Sequence, residues 1–189
     1  MPFIELTDND RLTLLALARE SIRVRLLFDR DLTIDESAFS PALSQIASSF
    51  VTLKLGGRLR GCIGTLEAHR PLVEDVVRNA AAAALDDPRF PPLTLAEEGQ
   101  TEMNISVLTA PVELQFDSEE ALLAQLTPGE DGLIIEAGHH RATFLPVVWT
   151  DLPDKSQFLA HLKKKAGIPQ DIDPGKLTAW RYQTVSFSE

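Results

Sequence analysis

Cysteine is almost absent from this chain: one occurs among 189 residues, at position 62. An intramolecular disulfide framework is thereby excluded, and the usage suits a reducing compartment. Long apolar runs are missing too. No stretch of about 18 apolar residues is present, so no membrane-spanning helix is expected. The opening residues, Met1-Pro2-Phe3-Ile4-Glu5-Leu6, lack the basic and apolar regions of a secretory leader, and the expected location is the cytoplasm. Positive charge is scarce, with 18 Lys and Arg against 28 Asp and Glu and a formal net charge of −10. That field repels nucleic acid at long range, so a nucleic-acid partner is not expected. Walker and Rossmann glycine patterns and the G-x-S-x-G elbow are absent. So are His-x-His and Cys-x-x-Cys spacings, and the adjacent His139-His140 would point to opposite sides of a strand, so no metal site is expected. An iron–sulfur cluster needs several cysteines, which this chain does not have. The sequence names no cofactor.

What is present describes a folded domain. Hydrophobic residues make up 44% and charged residues 24%, ordinary values for a globular chain. The length suits one domain or two small lobes and allows burial of roughly 70% of the unfolded surface.

Helical spacing of Leu15, Ala18, Ile22 and Leu26 predicts a first helix from Thr7 or Asp8 to Leu27. A loop follows around Asp35 to Pro41. A second helix is predicted from Pro71, with Val73, Val76, Val77 and Ala80 to Ala84 forming a wide apolar stripe, and Asp87-Pro88 ending it. Glu102 to Leu108 reads as a strand with Met103, Ile105 and Val107 on one face, and Val112 to Phe116 as its neighbour. Asp117 with Glu120 resembles a capping box for a short helix. Gly132 to Ala137 and Arg141 to Leu145 form a hairpin around Gly138-His139-His140. Asp154 or Ser156 starts a helix with Phe158, Leu159 and Leu162 inward, closed by Gly167. Its Lys163-Lys164-Lys165 run reads as a solvated helix end rather than a phosphate patch. Thr178 to Phe187 reads as a last strand.

A faint internal repeat accompanies these elements. Shifting the chain by the 82 residues that separate Gly56 from Gly138 also brings Val51 onto Leu133, Leu53 onto Ile135, Pro71 onto Pro153 and Val77 onto Leu159. Both copies read strand, glycine turn, strand, proline, helix. Arg60 and Cys62 then meet Ala142 and Phe144, so only the first copy carries polar chemistry.

The first hairpin holds the candidate site. Phe50 to Leu55 alternates and ends at Gly56-Gly57; Leu59-Arg60-Gly61-Cys62-Ile63-Gly64-Thr65 returns. A two-residue loop pairs Leu55 with Arg58. A three-residue loop, Gly56-Gly57-Arg58, pairs Leu55 with Leu59, Leu53 with Gly61 and Val51 with Ile63. The second register is favoured because it gathers the apolar residues on one face and leaves Thr52, Lys54, Arg60 and Cys62 on the other. Cys62 is either a small buried hydrophobe, a reactive thiol, or a bystander in a cleft. Arg60 is suited to a carboxylate or phosphate, or to a salt bridge. Gly61 and Gly64 leave room for a ligand or another backbone. Thr65 offers a hydroxyl or closes a turn. His69, His139, His140 and Glu102 are candidate bases for the thiol, and Arg89 could bond the last carbonyls of the preceding helix.

The segment 59–65 resembles the signature of the AMMECR family, whose bacterial and archaeal members are called AmmeMemoRadiSam system protein A. Asp87-Pro88-Arg89-Phe90, Ile105-Ser106-Val107-Leu108, Thr143-Phe144-Leu145-Pro146 with Val148-Trp149, and Phe158-Leu159 through Lys165-Ala166-Gly167 fit the same pattern. Val147 departs from it, standing where the family often carries a polar residue. The resemblance spans nearly the whole chain and implies a compact α+β fold without an assigned reaction. It also implies two companions, a Memo-type protein and a radical-SAM protein.

The expected architecture is therefore α+β: antiparallel hairpins in a curved sheet with helices packed outside, as a single domain over 1–189 or as two lobes built on hairpin–helix units near 50–87 and 132–167. The leading functional expectation is an enzyme or enzyme component. Arg60 would anchor a small anionic substrate beside the Cys62 thiol, Gly61 and Gly64 would permit its approach, and Thr65 would contribute its hydroxyl. The alternative is a non-catalytic partner or adaptor of the two companions, with the glycine-rich segment as a docking groove or a tight structural junction.

Overall fold

The computed structural model describes residues 4–189. Residues 1–3, part of the segment read for a leader, lie outside the described residues. Helices and antiparallel sheet build two compact units: one comprises the residues up to Thr109 together with Val185–Glu189, the other Ala110–Thr184.

In the first unit, α1 (Asp8–Phe28) begins with a reciprocal cap. The Thr7 hydroxyl oxygen accepts the Asp10 N–H at 3.1 Å, and the Asp10 carboxylate accepts the Thr7 N–H at 3.0 Å. Leu14, Leu15, Ala18 and Ile22 form its buried face. The chain continues through β1 (Ser49–Leu55), β2 (Arg58–Gly64), α2 (Leu72–Leu85), the short α3 (Leu95–Glu98) and β3 (Thr101–Leu108). A four-stranded sheet takes the order β2-β1-β3-β8, where β8 (Thr184–Ser188) is the last strand of the chain. Its inner face, with Val51, Leu53, Met103, Ile105 and Val107, packs in one core with Leu72, Val73, Val76, Ala80, Ala83 and Ala84 of α2. Small alanines let the helix lie close, and burial of the larger apolar side chains contributes about 1.5–3 kcal/mol each.

The hairpin combines both registers considered from the sequence. The turn is the two-residue one: Gly56 and Gly57 have φ of 58° and 74°, and Leu55 faces Arg58. The favoured three-residue loop is thus corrected. An extra residue in β2 then shifts the register, so that Lys54 faces Leu59 while Leu53 faces Gly61, Thr52 faces Cys62 and Val51 faces Ile63. Arg60 is that extra residue. A bulge restores the apolar face that a short turn alone would have reversed.

The second unit contains β4 (Val112–Leu114), α4 (Glu119–Ala124), β5 (Gly132–Ala137), β6 (His140–Phe144), α5 (Lys155–Ala166) and β7 (Thr178–Tyr182). Its sheet has the order β4-β7-β5-β6. Phe158, Leu159 and Leu162 of α5 are fully buried with Leu133, Ile135 and Ala179. Trp149 stacks on Phe158 with ring centroids 3.7 Å apart and donates its indole N–H to the Asp131 carbonyl at 2.7 Å. Asp154 caps α5, and Gly167, at φ 74°, closes it.

Several expectations change here. Val112–Leu114 pairs with β7, not with β3, because β3 has β1 on one side and β8 on the other. The predicted last strand is two strands, β7 and β8, which enter different sheets on either side of Gln183. Ser118, not Asp117, caps α4, accepting the Ala121 N–H at 3.2 Å. Lys163 is not solvated: only 2% exposed, it bonds the Glu119 carboxylate at 2.5 Å and the Gln170 carbonyl at 2.9 Å.

The element order of the repeat recurs. Each unit has a hairpin with a positive-φ glycine turn, at Gly56 or Gly138, followed by a helix, and in each sheet the first hairpin strand lies between its hairpin partner and an antiparallel third strand.

Candidate functional site

Cys62 lies on β2 with its side chain on the outer face of the first sheet. Thr52 faces it on β1, and Asn104 faces Thr52 on β3. The thiol is half-buried, and its sulfur accepts the Thr52 hydroxyl at 3.3 Å. Glu102 lies on the same outer face, facing Lys54. Ser106, two positions beyond Asn104 on β3, meets the Ser186 hydroxyl of β8 at 2.8 Å.

The groups closest to the Cys62 backbone come from the link after α2. Asp87, only 4% exposed, accepts the Cys62 N–H on Oδ2 at 2.9 Å. Arg89 clasps the same carboxylate, Nε to Oδ1 at 2.9 Å and Nη2 to Oδ2 at 2.7 Å, and Nη2 also donates to the Cys62 carbonyl at 3.2 Å. The Arg89 guanidinium holds the Asp87 carboxyl well below the usual carboxylate range against the opposing effect of burial, helped by the N–H groups of Cys62 and Arg89. Arg89 is in turn pushed above its ordinary value, first by Asp87, with the Cys62 side chain a further contributor. Its side chain is 55% exposed. The expected bond from Arg89 to the last carbonyls of α2 is replaced by this clasp.

Arg60 sits in a different arrangement. Nε and Nη2 meet the two Glu97 oxygens at 3.2 Å each, Nη1 donates to the Pro91 carbonyl at 2.8 Å and Nη2 to the Pro92 carbonyl at 3.2 Å. Its side chain is largely buried. The Arg60 guanidinium, with the Thr94 N–H and hydroxyl, lowers the Glu97 carboxyl from 4.5 to about 2. These bonds join β2 to α3 and to the proline link before it.

The space at both glycines is taken by the protein's own groups. A Cβ on Gly61 would stand 1.9 Å from the Ala83 carbonyl oxygen of α2, and one on Gly64 would stand 2.2 Å from the Phe50 ring. At Gly61 the approaching group is another backbone; at Gly64 it is an aromatic side chain. Thr65 turns inward: its hydroxyl donates to Asp75 Oδ1 at 2.7 Å, and its N–H donates to the Ser49 carbonyl at 3.0 Å.

Asp75 anchors a buried polar cluster that the sequence reading missed. Fully buried on α2, it accepts the Ser49 N–H at 2.8 Å, the Ser49 hydroxyl at 2.7 Å and the Asn79 amide at 2.9 Å. Arg70 lies 3.6 Å away. The readable signal was a pair of polar residues one turn apart, Asp75 and Asn79, inside an apolar stripe. Glu97 also had a signal, the Thr94-x-x-Glu97 capping box seen in the structure.

The candidate bases do not bond the thiol. His69 bonds Arg70 and the Glu67 carbonyl. His139 and His140 belong to the second unit, where His140 meets the Ala166 carbonyl at 3.0 Å. Among the described residues, no group of three His, Cys, Asp or Glu is placed to hold a metal ion, and no helix is long and apolar enough to cross a membrane.

An α+β chain with this hairpin and its glycine-flanked cysteine is of a known class. The AMMECR1 family model matches residues 15–187, and the chain belongs to that family. A protein from Methanothermobacter thermautotrophicus is 35% identical over 192 residues, covering all of this chain and 99% of the relative. One from Thermofilum pendens is 38% identical, covering 79% of this chain and 76% of the relative. The crystal structure of an uncharacterized protein from Pyrococcus horikoshii is similar with a TM-score of 0.90 at 32% identity, covering 99% of this chain and 94% of that one.

Proposed function

We propose that the outer face around Cys62 is the thiol site of an enzyme or enzyme component that takes a small anionic substrate. One observation carries this reading. Arg89 is held against Asp87 beside Cys62, yet keeps more than half its side chain exposed. A clamped guanidinium is a preorganised anion contact, since little side-chain freedom remains to be lost on binding. In this reading Arg89 takes the anchoring role expected of Arg60, Thr52 holds the sulfur in place, and Cys62 is the attacking atom. Gly61, Gly64, Thr65 and Arg60 fix the strand that presents it.

The test is protection of Cys62 from iodoacetamide by inorganic phosphate or acetate in the native protein. Concentration-dependent protection that disappears in Arg89→Gln supports the site. Equal labelling with and without either anion counts against it.

A second reading draws on the same motif. Arg60, Gly61, Gly64 and Thr65 all contact other parts of the first unit. Such use fits a structural junction in a non-catalytic partner of Memo-type and radical-SAM companions. Association with those two proteins, unaffected by Cys62→Ala, would favour it.

A further inference from the structure

We infer that the Asp87–Arg89 pair is an edge guard: it occupies the open side of β2 as a neighbouring strand would, and so blocks pairing with the β2 of a second copy of this chain. β2 is terminal in the order β2-β1-β3-β8. A terminal strand presents unpaired N–H and C=O groups that can template addition of another strand. Cys62 faces Thr52 on β1, but its own N–H goes to Asp87 at 2.9 Å and its C=O receives Arg89 at 3.2 Å. One residue that both gives an N–H and accepts at its C=O has the bonding of a hydrogen-bonded pair in an antiparallel ladder. Here two side chains stand in for the missing residue. The covering segment cannot pair fully as a strand, because Pro88, Pro91 and Pro92 have no backbone N–H. It is held by the Asp87–Arg89 pair at Cys62, by Arg60 on the Pro91 and Pro92 carbonyls, and by Leu93, buried in the core.

The pattern of β2 selects a second copy as the excluded occupant. Antiparallel pairing about Cys62 would set Arg60 against Gly64, Leu59 against Thr65 and Arg58 against Leu66. No like charges meet, so the strand is complementary to itself, as a two-fold interface requires. Leu59, at 42% exposure, would gain cover.

The guard is tested with Asp87→Ala, and with Asp87→Asn as the conservative variant that keeps an acceptor for the Cys62 N–H. Sedimentation across a concentration series reads self-association, and hydrogen exchange reads the Cys62 amide. The single cysteine supplies a contact probe: pairing about Cys62 brings two thiols together, and diamide joins them as a disulfide while taking up both hydrogens. In Asp87→Ala at concentrations low enough to keep it monomeric, exchange at Cys62 should rise about tenfold or more. Dimer should appear with concentration, and the Cys62–Cys62 product should exceed that of the parent chain and of Asp87→Asn. A slow amide in Asp87→Ala at concentrations where it is monomeric overturns the inference. So does a fast amide in a chain that stays monomeric and uncrosslinked. If Asp87→Ala does not fold, the parent chain decides: a Cys62 amide as slow as those of β1 upholds the guard, and one as fast as loop amides overturns it.

Discussion

The carbonyl oxygen of Ala83 occupies the space where Gly61 lacks a side chain. A Cβ at that position would come within 1.9 Å of this oxygen, a distance neither backbone can accept without moving. α2 therefore rests directly on β2, one residue before the cysteine. Gly61→Ala should destabilise the first unit by about 1–3 kcal/mol or more, as overpacked cores do. Thermal unfolding checks this. Gly57→Ala is the comparison, since nothing lies within 4 Å of that position and its cost comes from φ 74° alone.

Asp75→Ala should be among the most damaging substitutions. It removes the acceptor shared by Ser49, Thr65 and Asn79 and leaves Arg70 without its nearby carboxylate. Leaving a buried donor without its acceptor costs about 1–3 kcal/mol per group. Denaturant unfolding should show the midpoint falling without loss of cooperativity. A change within experimental error would mean that the cluster contributes little to stability.

Acid should weaken the β2–α3 connection. Glu97 is lowered from 4.5 to about 2, chiefly by Arg60. A depressed carboxyl contributes stability above its ordinary value and loses that contribution as pH falls through the folded value. The loss from Glu97 therefore develops between about 4.5 and 2. Asp87 behaves in the same sense, with its stabilising effect lost at still lower pH. Arg60→Ala should flatten the Glu97 part of the profile, because less depression remains to be lost. Unfolding curves at stepped pH compare the two chains.

Cys62→Ala should leave the fold nearly intact. The sulfur makes one hydrogen bond, to Thr52, while the bonds from Cys62 to Asp87 and Arg89 use its backbone and survive the change. Circular dichroism and thermal midpoints should match closely, which permits the variant to serve as the inactive control for any thiol chemistry.

Much of the fold was legible because it rests on local rules. The Thr7 cap, the Pro71 and Asp154 helix starts, the Gly167 stop and the inward Met103-Ile105-Val107 face all follow from spacing and capping. What escaped depends on partners distant in sequence. Nothing near Val112 says that β8 will take the free side of β3. Lys163 looks solvated until Glu119 and Gln170 enclose it. The candidate site was half legible. Residues 59–65 identified the strand, and the apolar alternation gave Thr52 opposite Cys62. The bulge at Arg60, however, follows from combining a two-residue turn with a core-facing Leu53. Arg89 could not be placed beside Cys62 without the packing of α2 that carries it there.

If Cys62 lies on an accessible face with Arg89 as its anion contact, the thiol should favour an anionic reagent. Native protein should be alkylated with iodoacetate and with iodoacetamide, and the ratio of the two rates compared with that for glutathione. The same thiolate attacks both reagents and displaces iodide from each, so the ratio cancels its abundance and reads the local field. A chain of net charge −10 would repel iodoacetate in the absence of a local cation. The expected ratio lies above the glutathione value and falls below it in Arg89→Gln. A native ratio at or below glutathione, unchanged in Arg89→Gln, or no labelling until the chain is unfolded, would contradict it.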